Sequence, residues 1–461
     1  MVDEVDDIPT VDGDTQQYKV VTAEITADRF AEDVVLDIAG IIGEINFFED
    51  IDKPYISGSV VIVDDSAILD TINFRGTEKL LLEIVGVAGT TDINLSRKFS
   101  ITGIEKTIRT NDRTEVTIIN LLDETGYNTH AKRISKSFTG KVEDIIAGIC
   151  ISELGVEVDR SYCGPSIQPP MKIIVPYLNP LEACMWMKHR ATRADGSPYF
   201  VYASIHDPRV RIGDYATMMS QEPFNAELPY HYSAAGVNAA EDQEVVGNRE
   251  AMRAFTISGV QKDNMENTLE MIKRGSIGSS YSNTDISGGM THRAQHKIEN
   301  TIEQLQVSDV IKTYQEQNVF DAHAKIDLGP KGIVAPSDFE ARSFHKVSSS
   351  RTYVRARAAS DDATDTEVSN RAKAACIHTM VNRNSIMIQV PGTGFMLSKV
   401  SVGDMIRLTF LKGSQKEGEE LMDPNRSGDY LILATRHLFK DTSHDVSLSV
   451  AKIARGSQDN G

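Results

Sequence analysis

Two stretches of this chain carry the same order of apolar runs and turns. The late one, from Asn384 to Ala454, reads SIMIQV, a connector, MIRLTF, a polar loop, SGDYLILATRHLF, the turn KDTSHD and VSLSVAKIA. The early one, from Gly58 to Asp123, reads SGSVVIVDD, a connector, EKLLLEIV, a loop, RKFSITGIEKTI, the turn RTNDRT and EVTIINLLD. Each connector ends in a glycine and a small polar residue, Gly76-Thr77 and Gly403-Asp404. Apolar residues recur at every second position in these runs: Ile406, Leu408 and Phe410; Val446, Leu448 and Val450; Phe99 and Ile101; Val116 and Ile118. That period puts them on one face of a strand, with Arg407, Thr409, Ser447 and Ser449 on the other. The pattern predicts one four-stranded antiparallel module carried twice. Four strands leave open edges, which must close into a barrel or be covered by a partner, another subunit included.

Before and between the modules the pattern changes. YKVVTAEITA and VVLDIAGIIGEINFFEDI predict strands ahead of the early module, with Pro54 and Gly58 marking the turn. Val142, Ile145, Ile146, Ile149 and Leu154 stand near helical spacing, and Gly155 is placed as the helix stop. A second helix starts at Asn179, with Pro180 at its first position and Glu182 completing a capping-box spacing. After the turn at Asp195-Gly196, SPYFVYASI predicts a strand, His206 to Arg209 a turn and VRIGDY the return. Farther on, AMRAFTISGVQ and TYVRARA read as strands, and HRAQHKIENTIEQLQVSDVIK and DATDTEVSNRAKAACIHTMVNR as helices. RGSIGSSYSNTDISGG reads as a polar loop without a packing signal.

The expected fold class is α+β, mainly β, with two antiparallel β-barrel domains and an α+β domain inserted between them. Residues 1–16 are expected to be a disordered acidic N-terminus, 17–128 the first barrel and 129–230 the small α+β domain. Residues 231–383 form a mixed region partly joining the second barrel, 384–455 the core of that barrel, and 456–461 a flexible tail.

A chain of 461 residues suits roughly three domains. With 40% hydrophobic and 25% charged residues, it has the composition of a soluble globular protein. The net charge of −18 argues against nonspecific binding to nucleic acid or to an anionic membrane. The four cysteines, Cys150, Cys163, Cys184 and Cys376, form no C-x-x-C pair and suggest neither a zinc ribbon nor a disulfide framework, which fits a reducing cytoplasm. The longest apolar run, Ile145 to Ile151, is far short of the roughly 20 residues of a membrane-spanning helix. The first fifteen residues, with six acids and no base, are the opposite of a signal peptide.

Candidate chemistry is thin. His292 and His296 stand four apart on the predicted helix, a spacing at which two imidazoles can share a metal, but Arg293 follows the first where zinc proteases have Glu. A solvated helix face is the better reading. Gly392-Thr393-Gly394 follows a strand but lacks the third glycine and the helix of a dinucleotide site, and reads as a hairpin turn. His437, beside Arg436, faces His444 across a turn, which cross-strand polar packing explains without catalysis. Trp186 shares an amphipathic helix with Cys184 and Met185 and reads as core. No catalytic, cofactor-binding or metal-binding residue is assigned, and no cofactor is expected.

The run FFEDIDKPYISGSVVIVDDSAILDTINFRGTEKLLLEIV, from Phe47 to Val85, resembles the N-terminal barrel of central baseplate hub proteins of contractile-tailed bacteriophages. IVPYLNPLEACMWMKHRA followed by SPYFVYAS is similar to that family's proline, amphipathic helix and aromatic strand. SGDYLILATRHLFKDTSHDVSLSVAKI is similar to the last hairpin of its second barrel, also shared by the N-terminal part of type VI secretion spike proteins. These segments run in family order over about two-thirds of the chain, and 257–345 has no match.

The resemblance implies a structural virion protein of the tail baseplate, assembled in the host cytoplasm and without enzymatic activity. Its two tube-like barrels per subunit would form a homotrimeric ring that adapts a sixfold tail tube to a threefold spike. Implied partners are the central spike protein, the tail tube or a tube-initiator protein, and baseplate wedge proteins. DNA would pass through the ring without specific binding, past a channel wall expected to carry more Asp and Glu than Lys and Arg. An adhesin or fibre-attachment protein that binds carbohydrate is the alternative, and a hydrolase the second. With 7% aromatics and one Trp, the sequence gives the adhesin no support.

Overall fold

The computed structural model describes residues 18–30, 34–69, 74–86, 94–110, 114–232, 255–261, 278–286, 289–297, 326–327, 333–334, 342–348, 370–378, 385–392, 400–410 and 426–451, with single positions 72, 273, 330, 381 and 396. The acidic N-terminus 1–16, the TYVRARA strand and the tail 456–461 lie outside these residues.

The early module is strands apart from a 3-10 turn at Ala39–Ile41: β1 (Tyr18–Thr26), β2 (Leu36–Asp37), β3 (Ile42–Asp50), β4 (Ser57–Asp64), β5 (Lys79–Gly86), β6 (Asn94–Arg109) and β7 (Glu115–Asp123). Hydrogen bonding orders them β3-β4-β7-β6-β5-β1-β2. Alternation sets the inward face: Ile45 and Phe47 on β3, Val60 and Ile62 on β4, and Leu80, Leu82 and Ile84 on β5 are all buried. Phe47 and Phe99 stack at 5.2 Å in the middle of this core.

A compact α+β body follows: α1 (Glu124–His130), β8 (Ser137–Gly140), α2 (Val142–Ile149), β9 (Val158–Asp159), β10 (Met171–Ile174), α3 (Pro180–Lys188), β11 (Tyr199–Ser204), β12 (Asp207–Asp214) and α4 (Tyr215–Met219). The helix signals are realised. Gly155 takes φ 69 after a π turn that extends α2, and Asn179 with Glu182 forms the capping box of α3. The β11–β12 turn is tighter than expected, because β12 already begins at Asp207.

The stretch after residue 230 departs most from the sequence reading. β13 (Tyr230–Tyr232) and β14 (Gly259–Gln261) join the late module, β13 parallel to one strand and β14 antiparallel to another. The expected polar loop contains β15 (Gly278–Asp285), and the expected helix begins as β16 (Met290–Lys297). These two pair antiparallel, β17 (Ile326–Asp327) pairs with β18 (Ile333–Val334), and β19 (Arg342–Ser348) lies parallel to β15. Two physical facts explain the error. A spacing of four keeps one face on a strand as well as on a helix, so His292 and His296 did not discriminate. The apolar partner that anchors β15 is remote: Tyr281 stacks at 4.5 Å on Phe344. Residues 298–312 of the expected helix lie outside the described residues. The helix expected ahead of the late module is present over 370–378.

The late module consists of β20 (Ser385–Pro391), β21 (Met405–Phe410), β22 (Gly428–Lys440) and β23 (Ser443–Ala451). Its strand order, β20-β23-β22-β21, repeats the early β4-β7-β6-β5. The correspondence extends to single atoms. Both long strands bulge where they leave their second-strand partner, at Ile101/Gly103 and Ile432/Ala434. At that point the Ile101 N–H donates to the Glu78 carbonyl and the Ile432 N–H to that of Asp404, at 2.9 and 3.0 Å. Gly76 and Gly403, ending the two connectors, both have positive φ, 81 and 91.

The two modules belong to one thirteen-stranded sheet, because β22 pairs antiparallel with β3 from Ala434–Asp50 to Lys440–Glu44. Among the described residues the pairing runs as an open path, ending at β2 on one side and β14 on the other. Each module packs its own core, and the β3–β22 pair exchanges residues between them. Ile51, just past β3, lies in the late core, and Phe439 of β22 lies in the early one against Phe47 and Tyr18. The structure is therefore mainly β with few helices, as expected.

The paired glycines give a graded test. A methyl on Gly76 would meet nothing within 4 Å, whereas on Gly403 it would lie 2.5 Å from the Tyr202 hydroxyl. Gly76→Ala is expected to cost about 1–2 kcal/mol, from the left-handed backbone alone. Gly403→Ala should cost at least ~1–3 kcal/mol more by overpacking. Urea unfolding of both variants checks the order, and equal losses would contradict the close approach.

Candidate functional site

The described residues contain no group of three His, Cys, Asp or Glu side chains placed to hold a metal ion. A buried polar arrangement lies where the two modules and the inserted body meet. It is built around Glu49. Alternation along β3 turns Ile45, Phe47 and Glu49 inward together, so a carboxylate occupies the third inward position of an otherwise apolar face. Its oxygens accept from the Ile205 backbone N–H at 2.5 Å, the Ser401 hydroxyl at 2.9 Å and the Thr435 hydroxyl at 2.5 Å. These donors come from the β11–β12 turn, the late connector and β22. One buried charge thus ties three parts of the chain that are remote in sequence.

His437 and His444 stand beside it. His437 Nδ1 lies 3.1 Å from His444 Nε2, the rings stack, and His437 Nε2 is 4.0 Å from Glu49. The cross-strand polar pairing expected from sequence is present, and both rings are buried. His206 meets His437 edge to face and bonds the Val400 carbonyl at 2.9 Å. Burial pushes the His437 imidazole down to about 4 against the opposing pull of Glu49, holds His444 well below the ordinary range, and lowers His206. At neutral pH the three rings are uncharged. Gly392 lies against His444, its N–H donating to the His444 carbonyl, as a residue leaving a strand would; Gly394 lies outside the described residues.

Two further ties hold the inserted body. Arg97 on β6 donates to the Ser204 and Asp207 carbonyls, bridging the early module to the β11–β12 turn. Lys188 at the end of α3 reaches Asp52 at 2.6 Å, and His378 meets the same carboxylate at 2.8 Å. Burial pushes the Asp52 carboxyl up, but these two partners overcome it and hold it well below the usual carboxylate range. A cleft of about 440 Å³ opens between β6, α1 and the end of α2, lined by Arg97, Asp123, Asn128 and His206 among others.

The remaining candidates scatter. His292 and His296 sit on β16, far in sequence and pairing from this joint, and His296 is buried. Trp186 packs partly buried on the inserted core with the Arg190 guanidinium 3.8 Å above its ring, so it is half core and half surface. Arg436 reaches outward to Asn46. Cys150 and Cys184 are buried free thiols 3.7 Å apart. Sequence reasoning missed Glu49, Ser401 and His206. Only Glu49 left a signal, as an acid in phase with Ile45 and Phe47.

No protein-family model matches the chain, and no curated protein sequence matches it. Solved structures do. The prophage MuSo2 43 kDa tail protein from Shewanella oneidensis aligns over 94% of this chain and 98% of its own, with TM-score 0.52 and 9% identity. A tail protein from Neisseria meningitidis MC58 aligns over 95% and 97%, with TM-score 0.48 and 10% identity. A type VI secretion system component of E. coli, described as structurally similar to T4 bacteriophage tail proteins, aligns over 94% and 77%, with TM-score 0.40 and 7% identity. The structural neighbours are thus phage tail and type VI secretion proteins, and the first of these likenesses establishes the fold.

Two predictions follow from the joint. Glu49→Ala strands three donors, each costing about 1–3 kcal/mol when left buried, so urea unfolding should show a loss of about 3 kcal/mol or more. A loss below about 1 kcal/mol would mean the carboxylate is dispensable.

The second concerns pH. An unfolded histidine titrates near 6.5, so between about 6.5 and about 4 the unfolded chain binds more protons at His437, and stability falls as pH drops. Asp404 acts oppositely. Burial raises its carboxyl to about 6, so between about 6 and about 4 the native state binds the extra proton and gains stability as pH drops. Asp404→Asn removes that offset. Its urea midpoint should fall more steeply from pH 6.5 to pH 4.5 than the wild type's, and parallel curves would overturn the assignment.

Proposed function

We propose that this protein is the central hub of a contractile phage tail baseplate, a homotrimeric ring that adapts a sixfold tail tube to a threefold spike. The observation that carries the reading is the duplicated module fused edge to edge within one chain. Two equivalent modules per subunit turn a threefold ring into a pseudo-sixfold one, which is the symmetry match such an adaptor needs. The fold shared with a prophage tail protein over nearly the full length of both chains supports it.

On this reading the polar knot at Glu49 is architectural. It fixes the angle between modules, and the chain acts as a structural part rather than an enzyme. Its neighbours in the virion are the spike, the tail tube or its initiator, and the baseplate wedges. DNA passes through the ring. The formal charge of −18 per chain, tripled in the ring, gives a field that repels a polyanion, and acids on the channel wall let the duplex slide without being held.

Native mass measurement of the purified chain, alone and with its spike protein, is the test. Three copies and a ring with a central channel in negative-stain images are expected. A stable monomer or dimer under both conditions would sink the reading.

A further inference from the structure

The internal repeat leaves one seam unmade among the described residues. Within the chain, the second half of β22 pairs with β3, and that contact fuses the modules. The equivalent half of β6 pairs with β7 on one side only. β5 covers β6 from Asn94 to Ser100, and among the described residues no strand lies along the other edge of Thr102–Arg109. This edge is exposed. Ile104 and Ile108 are each 44% accessible, on a strand whose counterpart in the late module buries Thr435, His437 and Phe439.

The occupant can be read from the register. Ile101 pairs with Leu121, which pairs with Gly58; Ile432 pairs with Val450, which pairs with Ile386. Gly58 and Ile386 therefore hold one place in the repeat, and Ser59 and Met387 the next. Asn46 of β3 faces Ser59, and Gln261 of β14 faces Met387. β14 is thus the late-module counterpart of the first half of β3, with the same antiparallel sense, and among the described residues β20 is its one partner. No described strand lies along its outer edge, and Val260 is 37% accessible. Counting back from the hairpins, Ile108 faces Val116 and Leu438 faces Asp445, which are equivalent positions. Within the chain, Leu438 faces Asn46.

We infer that the free edge of β6 receives β14 of a neighbouring copy as an antiparallel strand, with Ile108 facing Gln261 and Arg109 facing Val260. The inter-subunit seam thereby repeats the intra-chain β22–β3 seam. Apolar Ile108 and Val260, left bare in one copy, stand on the stretches this contact pairs. The inference rests on the ring reading and deepens it, because it names the strands that close the ring.

Disulfide trapping tests it. Residues directly opposite in antiparallel strands lie about 4.5–5.5 Å apart at Cα, within the span of a disulfide. Ile108→Cys/Gln261→Cys, mildly oxidised at working concentration, should run as a covalent trimer on non-reducing gels. Each single variant, and the out-of-register pair Ile104→Cys/Gln261→Cys, should run as monomer. In parallel, Ile108→Glu should keep the wild-type circular dichroism and melt but weaken trimerisation at least tenfold. A wild-type trimer that neither cross-links at 108/261 nor dissociates in the Ile108→Glu variant would overturn the seam while leaving the ring intact. A wild type that stays monomeric, alone and with its spike, would overturn both.

Discussion

The architecture depends on what happens at β11. All six of its residues are buried, and they serve three cores. Tyr199 and Val201 face the inserted α+β body, Phe200 and Tyr202 face the late module, and Ala203 with the following Ile205 packs into the early one. A strand buried on both faces has no solvated side to slide along, so its position fixes the three bodies relative to one another. Glu49 completes the constraint, since its carboxylate accepts from Ile205 immediately after β11 and from hydroxyls of the late module. Burying an ion is costly unless its oxygens are fully engaged. The donors must therefore converge for the fold to form, and the angle between modules is set by chemistry that tolerates little drift.

The modules themselves follow from the period of two. Alternation, glycine connectors and charged turns were enough to predict the repeat, and the structure returns the same strand order twice, down to the bulge and the carbonyl that satisfies it. The helix caps at Asn179 and Gly155 were equally legible, because capping is local chemistry. What the sequence did not disclose is long-range. Nothing near residue 280 announces that Phe344 will stack on Tyr281 and turn a serine-rich loop into a strand. Nothing near Thr435 announces Glu49, 386 positions away. The one local sign, an acid in phase with Ile45 and Phe47, is visible only when inward alternation is followed past the last apolar residue.

The candidate site shows the same division. The sequence pattern implies cross-strand packing of His437 and His444, and they do pack. Their complete burial depends on β3 and on Gly392, whose lack of a side chain admits the His444 ring; a Cβ there would lie 2.0 Å from Nδ1. The imidazoles are neutral because they are enclosed, and they are enclosed because the late module's edge is permanently covered by the early module. Where two histidines can stay buried and uncharged, the covering strand has to arrive as the module folds.

That point separates the two copies of the repeat. Thr435, His437 and Phe439 are buried beneath the intra-chain seam, while Ile104, Thr107 and Arg109 hold the corresponding places on the open edge of β6 and are exposed. A seam inside one chain forms once, at high effective concentration, and can enclose histidines and a phenylalanine. A seam between chains must remain soluble until a partner arrives. Lys106, Thr107 and Arg109 give the edge charge and hydrogen-bonding capacity against nonspecific strand addition, which is how exposed edges are protected from aggregation. Ile108 supplies apolar area at the point where a matching edge can pair. On the ring reading, the divergence of the two modules at these positions is the imprint of one repeat serving as a folding contact and the other as an assembly contact. The same backbone geometry then carries side chains suited to the order in which each edge is covered.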